Sequence, residues 1–179
     1  MDIEFLKSNL RVIPDFPKPG INFFDVTTLF DNPECLRRMA DSIYETYKDK
    51  GITKVACLEA RGFILGSILS YKFGAGFVPI RKPGKLPAET ISTKYIKEYG
   101  FDTIEIHKDA INEDDVVLIH DDLLASGGTA KAAIELVQKF NPKKIYTNFI
   151  IELTDLPGRS RLPEDMEITS LLAIAEHDD

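Results

Sequence analysis

Apolar positions along this chain follow two different periods. Between Asp31 and Gly51, Leu36, Met39, Ile43 and Tyr47 recur every three to four residues and so share one face of a helix. Asp31 or Asn32 suits its cap, Pro33 its first turn and Gly51 its stop. "DIEFLKSNL" predicts a shorter helix through Ile3, Leu6 and Leu10. In contrast, "KVACLE" (54–59), "GFVPI" (76–80), "DVVLI" (115–119) and "KKIYTNFIIEL" (143–153) are apolar runs of strand length. Between them, "GFILGSILSYKF" (62–73) and "TAKAAIELVQKF" (129–140) have the apolar faces of helices. Strands that alternate with helices, several of them apolar on both faces, predict an α/β fold with a mostly parallel central sheet flanked by helices.

One stretch breaks the alternation. "RKPGKLPAETISTKYIKEYG" (81–100) is rich in Pro, Gly, Lys and Thr and starts without a core pattern, which predicts a surface loop or a lid. "TISTKYI" and "TIEIHKD" alternate like paired strands and predict a hairpin. No repeat or linker divides the 179 residues, so one domain, 1–179, is expected.

Composition narrows the function. A formal charge of -7 argues against a general nucleic-acid surface. "MDIEFLKSNL" lacks a basic region followed by an apolar one, and no apolar run reaches membrane-spanning length, so no membrane partner and a cytoplasmic location are expected. Cys35 and Cys57 fall in predicted core elements and read as small buried hydrophobes. With His107, His120 and His177 they form no nucleophilic triad or metal-ligand spacing. His120 ends an apolar run and reads as a packing residue.

The chemistry concentrates in "LIHDDLLASGGT" (118–129). Gly127 and Gly128 open backbone conformations closed to other residues, and Thr129 begins a helix whose amides and dipole suit an anion. The adjacent Asp121 and Asp122 would repel that anion. Capping acids followed by an ordinary turn explain each half separately. A ligand with a phosphate beside a vicinal diol uses both. The amides and hydroxyls of Ser126 and Thr129 would take the phosphate, and the carboxylates would accept from the diol. That describes a ribose 5-phosphate. The segment fits neither G-x-x-x-x-G-K-[ST] nor G-x-G-x-x-G, which disfavours Walker-type and dinucleotide sites.

This segment resembles the phosphoribosyl-pyrophosphate motif of the type I phosphoribosyltransferases. "PDFPKPGINFFDVT" (14–27), "EARGFILG" (59–66), "RKPGKLP" (81–87), "KEYGFDTIEIHKDAI" (97–111) and "IELTDLPGR" (151–159) resemble the adenine-specific branch of that family, in its order. The resemblance implies a small hood at about 1–30, a lid at about 81–106 and a homodimer. It implies transfer of a ribose phosphate from phosphoribosyl pyrophosphate to adenine, giving AMP and pyrophosphate, with Mg²⁺ and an oxocarbenium-like transition state.

The resemblance also implies roles. Ala125, Ser126, Gly127, Gly128 and Thr129 would hold the phosphate. Asp121 and Asp122 would hold the ribose and reach the metal through water, with no direct protein ligand to it. Ala60, Arg61, Gly62, Arg81, Lys82 and Lys85 would meet pyrophosphate, and a non-proline cis peptide is expected at Glu59–Ala60. Phe23 and Leu123 would sandwich adenine while the backbone of Asn22 and Phe24 reads its edge. Glu98 would manage the proton at the adenine imidazole ring, and Tyr99 would orient the reacting groups; with Arg61 these are the expected catalytic residues. Ala60 stands where the family commonly has Ser, Phe24 where it often has Arg, and His120 where it usually has an aliphatic residue.

Without the resemblance, Arg61 reads equally as a surface ion-pair residue, residues 81–85 as a solvated basic loop, and "FPKPGINFF" as a packed arm. Two rival functions remain open. A transferase for hypoxanthine or guanine is disfavoured by "KEYG" and the hood. A regulator that only senses phosphoribosyl pyrophosphate is disfavoured by the acidic charge and by Lys85, Glu98 and Tyr99.

Overall fold

The computed structural model describes residues 2–96 and 100–175, and its core is a parallel sheet built from the buried runs seen in the sequence. In chain order, α1 (Ile3–Asn9) and two short strands, β1 (Arg11–Ile13) and β2 (Phe23–Asp25), precede α2 (Thr27–Asp31) and α3 (Pro33–Tyr47). Then come β3 (Lys54–Leu58), α4 (Gly62–Phe73) and β4 (Gly76–Ile80), and a hairpin of β5 (Thr90–Ile96) and β6 (Phe101–His107). The chain continues through β7 (Val116–Leu124), α5 (Gly128–Gln138), β8 (Lys144–Leu153), a 3₁₀ turn (Arg159–Arg161) and β9 (Ile168–Ile174).

Five strands pair in parallel in the order β4-β3-β7-β8-β9. The chain leaves β3 toward one edge to make β4 and returns on the other side to make β7. The order therefore reverses between β3 and β7, and the strands' carboxyl ends open a crevice there. β7 and β8 are covered on both faces, which explains their unbroken apolar runs. On one face Met39, Ile43 and Tyr47 of α3 and Leu65 and Leu69 of α4 pack on Val55, Leu118 and Ile150. On the other, Ala133, Ile134 and Val137 of α5 and Ile104 and Ile106 of the hairpin pack on Ile119 and Phe149. α3 begins as its sequence predicts. Asn32 Oδ1 accepts from the amides of Glu34 and Cys35 at 3.0 and 3.2 Å, and Pro33 follows it.

The structure differs from the sequence expectations in a few places. β7 runs on through His120 to Leu124, so the acid pair is the end of the strand itself. β9, unassigned from sequence, is a half-exposed edge strand whose apolar pattern is broken by Thr169 and Ser170. β1 and β2 are three residues each, too short to show a period, and pair Arg11 with Asp25. Glu59–Ala60 is cis, as expected, whereas the cis Phe16–Pro17 bond was not anticipated. No described helix is long and apolar enough to cross a membrane.

His120 is fully buried, as a packing residue should be, but it also anchors a polar chain. Its Nδ1 lies 3.0 Å from Asn148 Oδ1, and Asn148 Nδ2 donates to Thr169 Oγ1 at 2.9 Å. Thr169 and Tyr47 share a hydrogen bond of 2.6 Å between their hydroxyls. Burial drives the imidazole pKa down to about 4, so the ring stays neutral and tethers β7, β8, β9 and α3 without a charge.

A charged tether closes the far end of β8. Arg159 Nε and Nη2 donate to the two carboxylate oxygens of Glu152 at 2.7 and 2.6 Å, and Ser170 Oγ donates to Oε2 at 2.7 Å. Hydrogen bonds from Arg159, then Ser170, outweigh burial and hold Glu152 below its usual pKa of 4.5. A depressed carboxylate stabilises the fold above its unfolded pKa and loses that contribution as pH falls through the folded one. Replacing Arg159 with Met leaves a buried carboxylate unpaired and should cost roughly 2–4 kcal/mol at pH 7. Urea unfolding at pH 7 and pH 4 checks this, since the deficit should shrink at the lower pH. An identical deficit at both would remove Glu152 as its cause.

Candidate active site

Two strand-to-helix turns meet where the sheet order reverses. The turn after β3 is Glu59-Ala60-Arg61-Gly62; the one after β7 runs from Ala125 into α5, with Asp121 and Asp122 just before it in the strand. They can touch because of Gly62. A Cβ there would stand 3.0 Å from Asp121 Oδ1 and 3.1 Å from the His120 carbonyl oxygen. This approach sets Arg61 Nε 2.7 Å from Asp122 Oδ2, a buried carboxylate. Together they enclose a cavity of about 200 Å³ lined by Arg61, residues 121–127, Thr129 and Ala130.

The small-residue half of the motif leaves donors open. Gly127 adopts a left-handed conformation (φ 82°) at the N-terminus of α5, and no described side chain caps that helix. The first turn of α5 therefore borders an anion-sized space with no side-chain cap among the described residues. The acidic half is poorly solvated. Burial, then the neighbouring Asp122 charge, pushes the Asp121 carboxyl well above the ordinary range. That modifies the expectation of two fully charged acceptors: the pair calls for a cation, and Arg61 already supplies one to Asp122. Among the described residues no three His, Cys, Asp or Glu side chains converge as a metal cage. Mg²⁺ commonly takes one or two carboxylates beside substrate phosphates and water, a requirement that Asp121 and Asp122 can meet.

The N-terminal aromatic arm borders this site. The Phe23 ring lies 5.7 Å from the Arg61 guanidinium carbon and packs edge-on against Phe16 at 5.3 Å. Arg61 thus stands between the aromatic arm and the acid pair. Asn22 and Phe23 are half-buried, whereas the Phe24 side chain turns into the core. Only the Phe24 backbone is left to read a ligand. Leu123 lines the cavity from the β7 side.

The basic residues of the long insertion are paired with carboxylates. Lys85 Nζ lies 2.6 Å from Glu59 Oε2, and Arg81 Nε lies 3.6 Å from Oε1. Lys82 donates its amide to Glu59 and its ammonium to Asp102. Burial raises the Glu59 pKa, but the hydrogen bonds from Lys85 and the Lys82 amide and the charges of Lys85 and Arg81 bring it below normal. Ala60 and Gly62 flank Arg61 in the same turn. Glu98 and Tyr99 lie outside the described residues.

Sequence reasoning did not single out several neighbours of the site. Tyr95 donates to Asp102 Oδ2 at 3.2 Å across the hairpin and accepts from Thr129 Oγ1 at 3.4 Å. The hairpin register, which pairs Tyr95 with Asp102, was the one available signal. Gly158 backs the turn before α5: a Cβ on Gly127 would stand 2.6 Å from the Gly158 carbonyl oxygen, and one on Gly158 would overlap the Ala125 carbonyl oxygen.

Residues 25–178 match the phosphoribosyl transferase domain, so the class this fold and site define is that of the phosphoribosyltransferases. An adenine phosphoribosyltransferase of Phocaeicola vulgatus is 63% identical over 174 residues, spanning 97% of this chain and 100% of that protein. The solved adenine phosphoribosyltransferase of Rhodothermus marinus superposes with a TM-score of 0.90 at 48% identity, over 96% of this chain and 98% of that one. The APRTase of Giardia lamblia, solved with 9-deazaadenine, gives 0.91 at 38% identity, over 97% and 98%. The chain belongs to the adenine phosphoribosyltransferase family.

The Gly127 geometry is testable on its own. An Ala there combines a positive φ with a collision against the Gly158 backbone and should destabilise by roughly 2–4 kcal/mol. Gly128 has an ordinary φ, and a Cβ would meet the Ile96 carbonyl oxygen at 3.4 Å. Gly128→Ala should stay below about 1 kcal/mol. Urea midpoints of the two variants compare them directly; equal losses would contradict the tight contact at Gly127.

Proposed function

We propose that this protein transfers the 5-phosphoribosyl group of phosphoribosyl pyrophosphate to adenine, forming AMP and pyrophosphate. The observation that carries this reading is one cavity offering uncapped helix amides at Gly127–Thr129 beside the carboxylates of Asp121 and Asp122. Family membership supports it. The bond from the anomeric carbon to pyrophosphate breaks as that carbon bonds to N9 of adenine, and the adenine imidazole proton departs. Positive charge grows on the ribose and negative charge on the leaving group, so positioning, electrostatics and exclusion of water do the catalysis.

In this reading Ala125, Ser126, Gly127, Gly128 and Thr129 hold the 5-phosphate. Asp121 and Asp122 accept from the ribose hydroxyls. Arg61, the amides at 60–62, and Arg81, Lys82 and Lys85 receive pyrophosphate, exchanging Asp122, Glu59 and Asp102 for the phosphate oxygens. Asp121 and Asp122 would reach a Mg²⁺ ion through water, and that ion would supply charge neutralisation for the leaving group. Phe23 and Leu123 stack the base, and the backbone of Asn22 and Phe24 reads its donor–acceptor edge. Glu98 takes the imidazole proton while Tyr99 orients the reactants. The hood (1–30) and lid (81–106) keep water out. Family likeness also supports a homodimer working in the cytosol.

The direct test is AMP formation from adenine and phosphoribosyl pyrophosphate with Mg²⁺, run alongside hypoxanthine and guanine. Six-oxopurines invert the edge pattern and leave buried groups unpaired, so adenine should win by at least ~10⁴ in kcat/KM. Comparable turnover of hypoxanthine would overturn the base assignment. The acid pair has its own test. Asp122, paired with Arg61, is the charged acceptor of the two and worth about 1.5–3 kcal/mol, so Asp122→Asn should lose about 10- to 100-fold in kcat/KM for the ribosyl substrate with its fold intact, and Asp121→Asn should lose less. Full activity in both variants would remove the acids from ribose binding.

A further inference from the structure

The phosphate turn has no cation of its own. From Leu123 to Ala130 every residue is uncharged, and two carboxylates precede it. A cation nevertheless reaches the turn from behind. Arg161, at the end of the 3₁₀ turn, donates from Nη1 to the Ser126 carbonyl oxygen at 3.0 Å. The backbone that carries this exposed side chain is fixed by its surroundings. The Arg161 amide bonds back to the carbonyls of Pro157 and Gly158, Gly158 abuts Ala125 and Gly127, and Arg159 is clamped on Glu152.

A peptide unit is planar and trans, so its C=O and N–H point in opposite directions. With the Ser126 carbonyl held by Arg161, the Gly127 N–H of the same unit must point away from the guanidinium. Gly127 lines the cavity. A cation on a carbonyl oxygen also polarises the whole unit and makes its N–H a stronger donor. We infer that Arg161 is a positioning residue, aiming and strengthening the Gly127 amide for the 5-phosphate through the Ser126–Gly127 peptide. This rests on the phosphoribosyl reading of the site and adds a residue 35 positions away from the motif it serves.

The experiment compares the full-length protein with Arg161→Ala and Arg161→Lys. Calorimetry with ribose 5-phosphate alone and with pyrophosphate alone is paired with steady-state kinetics and urea unfolding. In Arg161→Ala, ribose 5-phosphate affinity should fall about 10-fold, the low end for a hydrogen bond to a charged group. KM for phosphoribosyl pyrophosphate should rise in step, while kcat, pyrophosphate affinity and the unfolding midpoint stay near wild type. Arg161→Lys should recover most of the loss. Unchanged ribose 5-phosphate affinity in Arg161→Ala would overturn the inference. So would an equal loss for both anions accompanied by a lower unfolding midpoint, since that is what a general brace would do. A wild-type protein that fails to bind ribose 5-phosphate would overturn the phosphoribosyl reading and this inference with it.

Discussion

Backbone meeting backbone is the constraint on which the site depends. At the carboxyl ends of β3, β7 and β8 three loops share a space too small for side chains between them. Gly62 lets the turn after β3 touch Asp121, and Gly127 and Gly158 let the turns after β7 and β8 touch each other. The parallel register of β3, β7 and β8 brings these ends to the same level. Packing on both faces of β7 and β8 then holds them there. Arg61 and the open amides of α5 are consequences of that approach.

Electrostatics completes what the packing begins. The cations around the crevice are each matched to a carboxylate: Arg61 to Asp122, Lys85 and Arg81 to Glu59, and Lys82 to Asp102. Partly exposed pairs of this kind contribute little to stability. They do keep long side chains around the crevice, where, in the proposed function, an incoming pyrophosphate would replace one anionic partner by another. The acids Asp121 and Asp122, one half-buried and the other buried, are by contrast costly to keep side by side. Such cost is commonly retained where a ligand or cation removes it.

Elements were legible in the sequence where a single segment contained the whole cause. β7 and β8 are buried on both faces, so their apolar runs stand out, and α3 shows its cap, first-turn Pro and apolar stripe in consecutive residues. β9 was not legible because Thr169 and Ser170 turn to the polar chain and to Glu152 instead of a core. The same rule holds at the site. Asp121 through Thr129 could be picked out as one cavity lining because the acids and the small-residue turn lie within one stretch. Gly158, Arg161 and Asp102 could not, since their roles arise from contacts across long separations. His120 was read as packing, and its partner Asn148 became visible only through the β7–β8 register.

The central claim is that the uncapped turn at the head of α5 is the phosphate cradle and the turn after β3 a separate pyrophosphate site. Amide chemical shifts of the ¹⁵N-labelled protein, followed during titration with ribose 5-phosphate, test it most directly. The account predicts large shifts at Gly127, Gly128 and Thr129 with ribose 5-phosphate, and at Arg61 and Gly62 with pyrophosphate. Shifts from ribose 5-phosphate that spare Gly127–Thr129 and cluster elsewhere would contradict it.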